Sequence, residues 1–196
     1  MPSDIQPCLL LSSNLQTFLT TLGLPTTYTY KDGGMIASGV NGIIQKTTGV
    51  DGLIKVCNAR QTFYNGMGNS YEKCINRYAI YDLGDTTINN ARTLEHIFRQ
   101  LQFECAGGFN IWADNRNCII GADKITQCVN QYNGTIYGVG TSNFCTQNFQ
   151  DFLTCVYNDY KNVCNGNVMT GWFGCERERV GWASDCTTLS CHPTNN

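Results

Sequence analysis

The chain has 196 residues, of which 42% are hydrophobic, so a folded core is expected and disorder is not. Only 14% are charged and the formal net charge is -2, which offers no basic field for nucleic acid or an anionic membrane. No run approaches the roughly 20 apolar residues of a spanning helix, so no membrane span is expected.

The first element is an amphipathic helix. Leu11, Leu15, Phe18 and Leu22 recur at spacings of four, three and four. Ser12 or Ser13 is a candidate start cap, and Gly23 with Pro25 a stop. The short run Cys8-Leu9-Leu10-Leu11 lacks the length and flanks of a secretory leader.

Residues 26–56 carry conflicting signals. Ile36, Val40, Ile43, Thr47, Val50 and Ile54 form a heptad stripe, yet Gly39, Gly42, Gly49 and Gly52 interrupt it. Four interior glycines cost a helix roughly 4 kcal/mol relative to alanine. Asn41-Gly42 and Asp51-Gly52 are hairpin-turn dipeptides, and Thr27-Tyr28-Thr29-Tyr30 before Lys31-Asp32-Gly33-Gly34 reads as a strand and turn. Gly39-Val40-Asn41-Gly42-Ile43-Ile44 is echoed by Gly49-Val50-Asp51-Gly52-Leu53-Ile54. The balance favours a small β-meander in the N-terminal segment.

Beyond Cys57 the pattern is helical. A short helix is expected around Cys74 and Tyr78, after Gly66-Met67-Gly68. A strong one follows through Leu94, Ile97, Phe98, Leu101 and Cys105, with Asn89 or Asn90 as caps. Ile125, Cys128, Val129 and Tyr132 suggest another, and Cys145, Phe149, Phe152, Val156 and Val163 the longest. On a continuous helix Cys155 and Cys164 would fall about 180° apart, tied to different neighbours. The fold class is therefore mainly α, a disulfide-rich helical bundle. Two parts are expected: residues 1–56, a helix plus a glycine-rich segment, and residues 57–196, a cysteine-rich helical domain.

The cysteines set the compartment. They are Cys8, Cys57, Cys74, Cys105, Cys118, Cys128, Cys145, Cys155, Cys164, Cys175, Cys186 and Cys191, an even number with no C-x-x-C. Zinc ribbons and redox sites need close pairs. Wide spacing staples separate elements instead, and disulfides persist in oxidising compartments. A secreted, extracellular protein is expected, and the sequon Asn133-Gly134-Thr135 makes Asn133 a candidate glycosylation site. Eleven cysteines lie from residue 57 onward, so one bridge from Cys8 is expected to tie the amino-terminal segment to the rest.

No lipase elbow, zincin, phosphate-binding or dinucleotide motif is present. His96 reads as a surface histidine of its helix, and His192 sits in a polar tail. Glu104, between Phe103 and Cys105, is the one acid set in an apolar helix face. Cys175-Glu176-Arg177-Glu178-Arg179 alternates in charge and is flanked by Trp172, Phe173 and Trp182. Tryptophan with arginine is a common binding anchor, so Trp172, Arg177, Arg179 and Trp182 are candidate binding residues; a solvated face and a tryptophan core are the plainer reading. No cofactor or metal is expected.

Tyr71-Glu72-Lys73-Cys74-Ile75, Leu101-Gln102-Phe103-Glu104-Cys105, Asn117-Cys118-Ile119, Phe149-Gln150-Asp151-Phe152-Leu153-Thr154-Cys155-Val156 and Asn162-Val163-Cys164 together carry a likeness. In this cysteine rhythm the chain from Cys57 to Cys191 resembles the helical, cysteine-rich secreted domains of nematodes. These include the domain of unknown function nineteen and the related chondroitin-proteoglycan type. The resemblance implies a secreted α-helical fold with no established enzymatic activity and no catalytic residues to carry over. Ser38-Gly39 is the one serine–glycine dipeptide for a glycosaminoglycan chain, and its neighbours are apolar.

The functional expectation is a non-enzymatic extracellular protein acting by binding or assembly. Its partner is an extracellular protein or glycan, or a second copy engaged through residues 33–56, where a strand edge would invite strand addition. The alternatives are a secreted hydrolase built on an acid pair and a carrier of a small apolar ligand.

Overall fold

A computed structural model describes residues 6–122, 125–132, 145 and 147–191. The chain forms two compact units, Met1–Cys105 and Ala106–Asn196. Residue 56, where a boundary was expected, lies inside a helix. The described residues are mainly helical and contain no strand. None of their helices is long and apolar enough to cross a membrane.

In the first unit a 3₁₀ turn, Gln6–Leu9, leads into α1 (Leu10–Leu22). Its buried face is Leu11, Leu15, Phe18, Leu19 and Leu22, as periodicity predicts. Gly23, at φ 73°, ends it by donating its N–H to the Leu19 and Thr20 carbonyls. Ser12 and Ser13 lie within the helix rather than capping it; the Ser13 hydroxyl donates to the Leu10 carbonyl.

The β-meander is replaced by two helices, α2 (Gly33–Lys46) and α3 (Asp51–Met67). Asn41-Gly42 and Asp51-Gly52 sit within them, and the turn between uses Gly49 at φ 61°. Helix wins because each segment buries an apolar face, which only partly follows the heptad stripe: Ile36, Val40 and Ile44 face the core from α2, and Leu53, Val56, Ala59 and Phe63 from α3, while Ile54 is exposed. Close approach requires glycine at two places. A Cβ at Gly33 would lie 2.5 Å from the Asn90 carbonyl oxygen, and one at Gly52 would lie 2.6 Å from that of Ile43.

After a 3₁₀ turn, Gly68–Ser70, come α4 (Tyr71–Cys74) and α5 (Arg77–Asp82). The expected single helix breaks at Ile75 and Asn76, and the extended Asn76 caps α5 by accepting the Tyr78 N–H. α6 (Ile88–Glu104) is capped by Thr87 rather than Asn89 or Asn90. The core centres on Phe18, Phe63 and Phe98, with ring centroids 4.5–6.1 Å apart. Cys8–Cys74 ties the segment before α1 to α4, as the lone early cysteine requires, and Cys57–Cys105 ties α3 to the end of α6.

The second unit holds α7 (Phe109–Ala122), α8 (Thr126–Gln131), α9 (Gln147–Val163) and α10 (Val168–Gly181). α7 bends at Asn115, where φ is -123°. α9 and α10 form an antiparallel hairpin whose turn uses Asn165 and Gly166 at φ 56° and 82°. Their axes approach closely: a Cβ at Gly174 would lie 2.5 Å from the Tyr160 ring. Asn167 caps α10 by accepting N–H groups of Met169 and Thr170. Cys118–Cys164 and Cys128–Cys155 bind α7 and α8 to the α9 region, two different neighbours as the half-turn spacing implies. Cys145–Cys186 and Cys175–Cys191 complete six bridges, with no cysteine left free.

Candidate functional site

The charged strip lies on α10, and its charges meet one another. Arg177 and Glu178 are both buried, with Nη1 3.5 Å from Oε1. Arg179 donates from Nε to Glu176 Oε2 at 2.7 Å and from Nη2 to Oε1. Glu176 holds the Arg179 guanidinium above its usual pKa, against a smaller opposing effect of burial. Cys175, at the head of the strip, is bridged to Cys191. Trp182 is buried edge-on against Phe149, with centroids 5.5 Å apart, while Trp172 is half-buried. The strip is therefore a paired segment against the α9–α10 core, with Trp172, Glu176 and Arg179 partly at the surface. Asn133 and His192 lie outside the described residues. Glu104 is buried, and His96 is half-buried on α6.

The sequence reading missed a set of buried charges in the first unit. Glu95, only 1% exposed, accepts the Arg77 backbone N–H at 3.0 Å and lies 3.4 Å from its guanidinium. That guanidinium in turn sits 4.6 Å from the centroid of the exposed Tyr78 ring. Arg99 donates to Glu72 at 2.6 Å and to the Ile75 carbonyl at 3.1 Å. Arg60, buried on α3, lies 5.4 and 5.5 Å from the ring centroids of Tyr64 and Tyr71 and donates to the Tyr71 hydroxyl at 3.5 Å. Burial pushes the Tyr71 phenol above its usual pKa, and Arg60 pulls part of the way back. The signal was legible: Glu95 follows Ala91 and Leu94, and Arg60 follows Val56 and Ala59, each at the i+4 place of a buried stripe.

Large apolar side chains stand at the surface instead. The first unit exposes Leu9 (68%), Leu10, Met35 (55%), Ile54, Tyr64, Tyr78 (59%) and Tyr81. The second exposes Val163, Val168 and Met169 where α9 turns into α10. Among the described residues no cluster of His, Cys, Asp and Glu could hold a metal ion. No family model, curated protein or solved structure matches this chain.

Proposed function

We propose that the protein is secreted and acts outside the cell by binding or assembly, without catalysis. The observation that carries this reading is the stapling: six bridges use every cysteine of two helical units. Such bridges form and persist where the surroundings are oxidising. Two further features support binding over chemistry. Arg77, Arg99, Arg177 and Arg179 each pair with a nearby glutamate. Meanwhile Leu9, Met35, Tyr78 and other large apolar groups face solvent, the kind of surface that marks interaction sites when contiguous.

Self-association through residues 33–56 takes a helical form in this reading. The segment has no strand edge to extend, so Met35 and Ile54, on α2 and α3, are its apolar contacts. Two measurements test the proposal. Fractionation of the native source should find the protein, fully oxidised, in matrix or body fluid; an intracellular, reduced protein would remove the secreted reading. Light scattering over a concentration series should show association that weakens in Met35→Lys/Ile54→Lys. A monomer throughout would leave an extracellular protein or glycan as the partner, and co-purification from the same source identifies which.

A further inference from the structure

The six bridges differ in access. Cys145 is the only exposed half-cystine among the described residues. Its partner Cys186 is buried, and in every other bridge each cysteine is buried or half-buried. Cys145–Cys186 closes the open end of the α9–α10 hairpin, joining the residue two before α9 to the turn that follows α10.

That end is also held without it. Phe149 packs edge-on against Trp182. Gln150 grips Ser190 twice, donating to its carbonyl at 2.8 Å and accepting its N–H at 3.2 Å. Cys175–Cys191 fastens the same tail to α10. Opening Cys145–Cys186 therefore removes a redundant tie, whereas both sulfurs of Cys8–Cys74, which joins the turn before α1 to α4, belong to buried residues.

We propose that Cys145–Cys186 is an exchange-labile bridge, a redox-sensitive device through which the folded protein is captured by a low-molecular-weight thiol. The thiolate attacks the exposed Cys145 sulfur; a new S–S bond forms there as the old one breaks. Cys186 leaves as a thiolate and takes a proton from water. A second equivalent of the thiol at Cys145 releases the oxidised thiol dimer and leaves two free cysteines, so the electrons balance. The direction of attack follows from access, since the attacking thiol must approach along the S–S axis. The Asp185 carbonyl oxygen, 2.9 Å from the Cys145 sulfur, also disfavours a thiolate on that side.

The test exposes the purified full chain to limiting reduced glutathione, quenches with acid, alkylates and maps peptides. The adduct should appear on Cys145 and the free thiol on Cys186, on the order of tenfold faster than at any other bridge. Far-ultraviolet circular dichroism should be unchanged at that stage. A first adduct on Cys186 or at another bridge overturns the proposal, as does exchange that occurs only with loss of helix. The variant Cys145→Ser/Cys186→Ser should keep its helical spectrum and form no early adduct. Loss of helix in that variant would overturn the redundancy on which the proposal stands.

Discussion

Tyr71 and Glu95 show what single buried groups contribute in the first unit. Tyr71 is 1% exposed, and its phenol is held neutral to a higher pH than in the unfolded chain. An unfolded tyrosine ionises near pH 10. Above that pH the unfolded state has lost a proton that the folded state keeps, so stability falls as pH rises. Tyr71→Phe should flatten the fall in melting temperature between about pH 9 and pH 11; an unchanged slope would locate the alkaline sensitivity elsewhere. Glu95 is a stronger constraint. Removing one partner of a buried ion pair costs about 3–5 kcal/mol, whereas replacing both by apolar groups is often neutral. Glu95→Ala should lower the urea midpoint accordingly, and Arg77→Met/Glu95→Leu should recover most of the loss. Equal loss in the single and double variants would mean that the pair is not what the site requires.

At the scale of elements, glycine has opposite meanings at positions that look alike in sequence. Gly33 lies against the backbone of α6, while a Cβ at Gly42 on α2 meets nothing within 4 Å. Gly42→Ala should therefore stabilise by roughly 1 kcal/mol through helix propensity. Gly33→Ala should destabilise, because the backbone it would meet cannot turn aside. Thermal unfolding of the two variants checks both signs. Asn167 is the matching case for caps. It holds the first turn of α10 and also donates to Asn115 at the bend of α7. Asn167→Ala should cost about 1–2 kcal/mol, read as a shift in denaturation midpoint.

The same contrast explains what could be read from the chain. α1, α6 and α9 were legible because their apolar residues repeat at helical spacing on a single face. α2 reads as strand and turn because glycine propensity is local, whereas the helix is held by burial of Ile36, Val40 and Ile44 and by the approach of Gly33 to α6, far along the chain. α7 is hard to read because it bends at Asn115 and buries only Trp112, Ile119 and Ala122, and α10 because charged residues fall on its inward face. In α10 the charges are buried as Arg177 and Glu178, and small Gly171 and Gly174 occupy places where a larger apolar side chain would have marked the stripe. The candidate site suffered likewise. Tryptophan beside arginine on the page suggested a surface, but Trp182 and Arg177 turn inward. Cysteine positions were legible and their partners were not, since pairing depends on which helices meet.

For the molecule as a whole, the bridges follow the two units. Cys8–Cys74 and Cys57–Cys105 lie within the first, and the other four lie within the second. A protease site placed at Ala106-Gly107 should therefore yield two fragments on a denaturing gel without reductant. A single band that splits only on reduction would contradict this pairing.

The segregation of the bridges also bears on how the chain is made. Twelve cysteines paired at random have roughly ten thousand outcomes, but four have only three and eight on the order of a hundred. The first four, Cys8 to Cys105, are all synthesised before Cys118. An amino-terminal unit that oxidises as it emerges therefore removes its thiols from the pool before any later cysteine can compete for them. The order of translation sorts the pairings that a refolding tube would have to sort by trial.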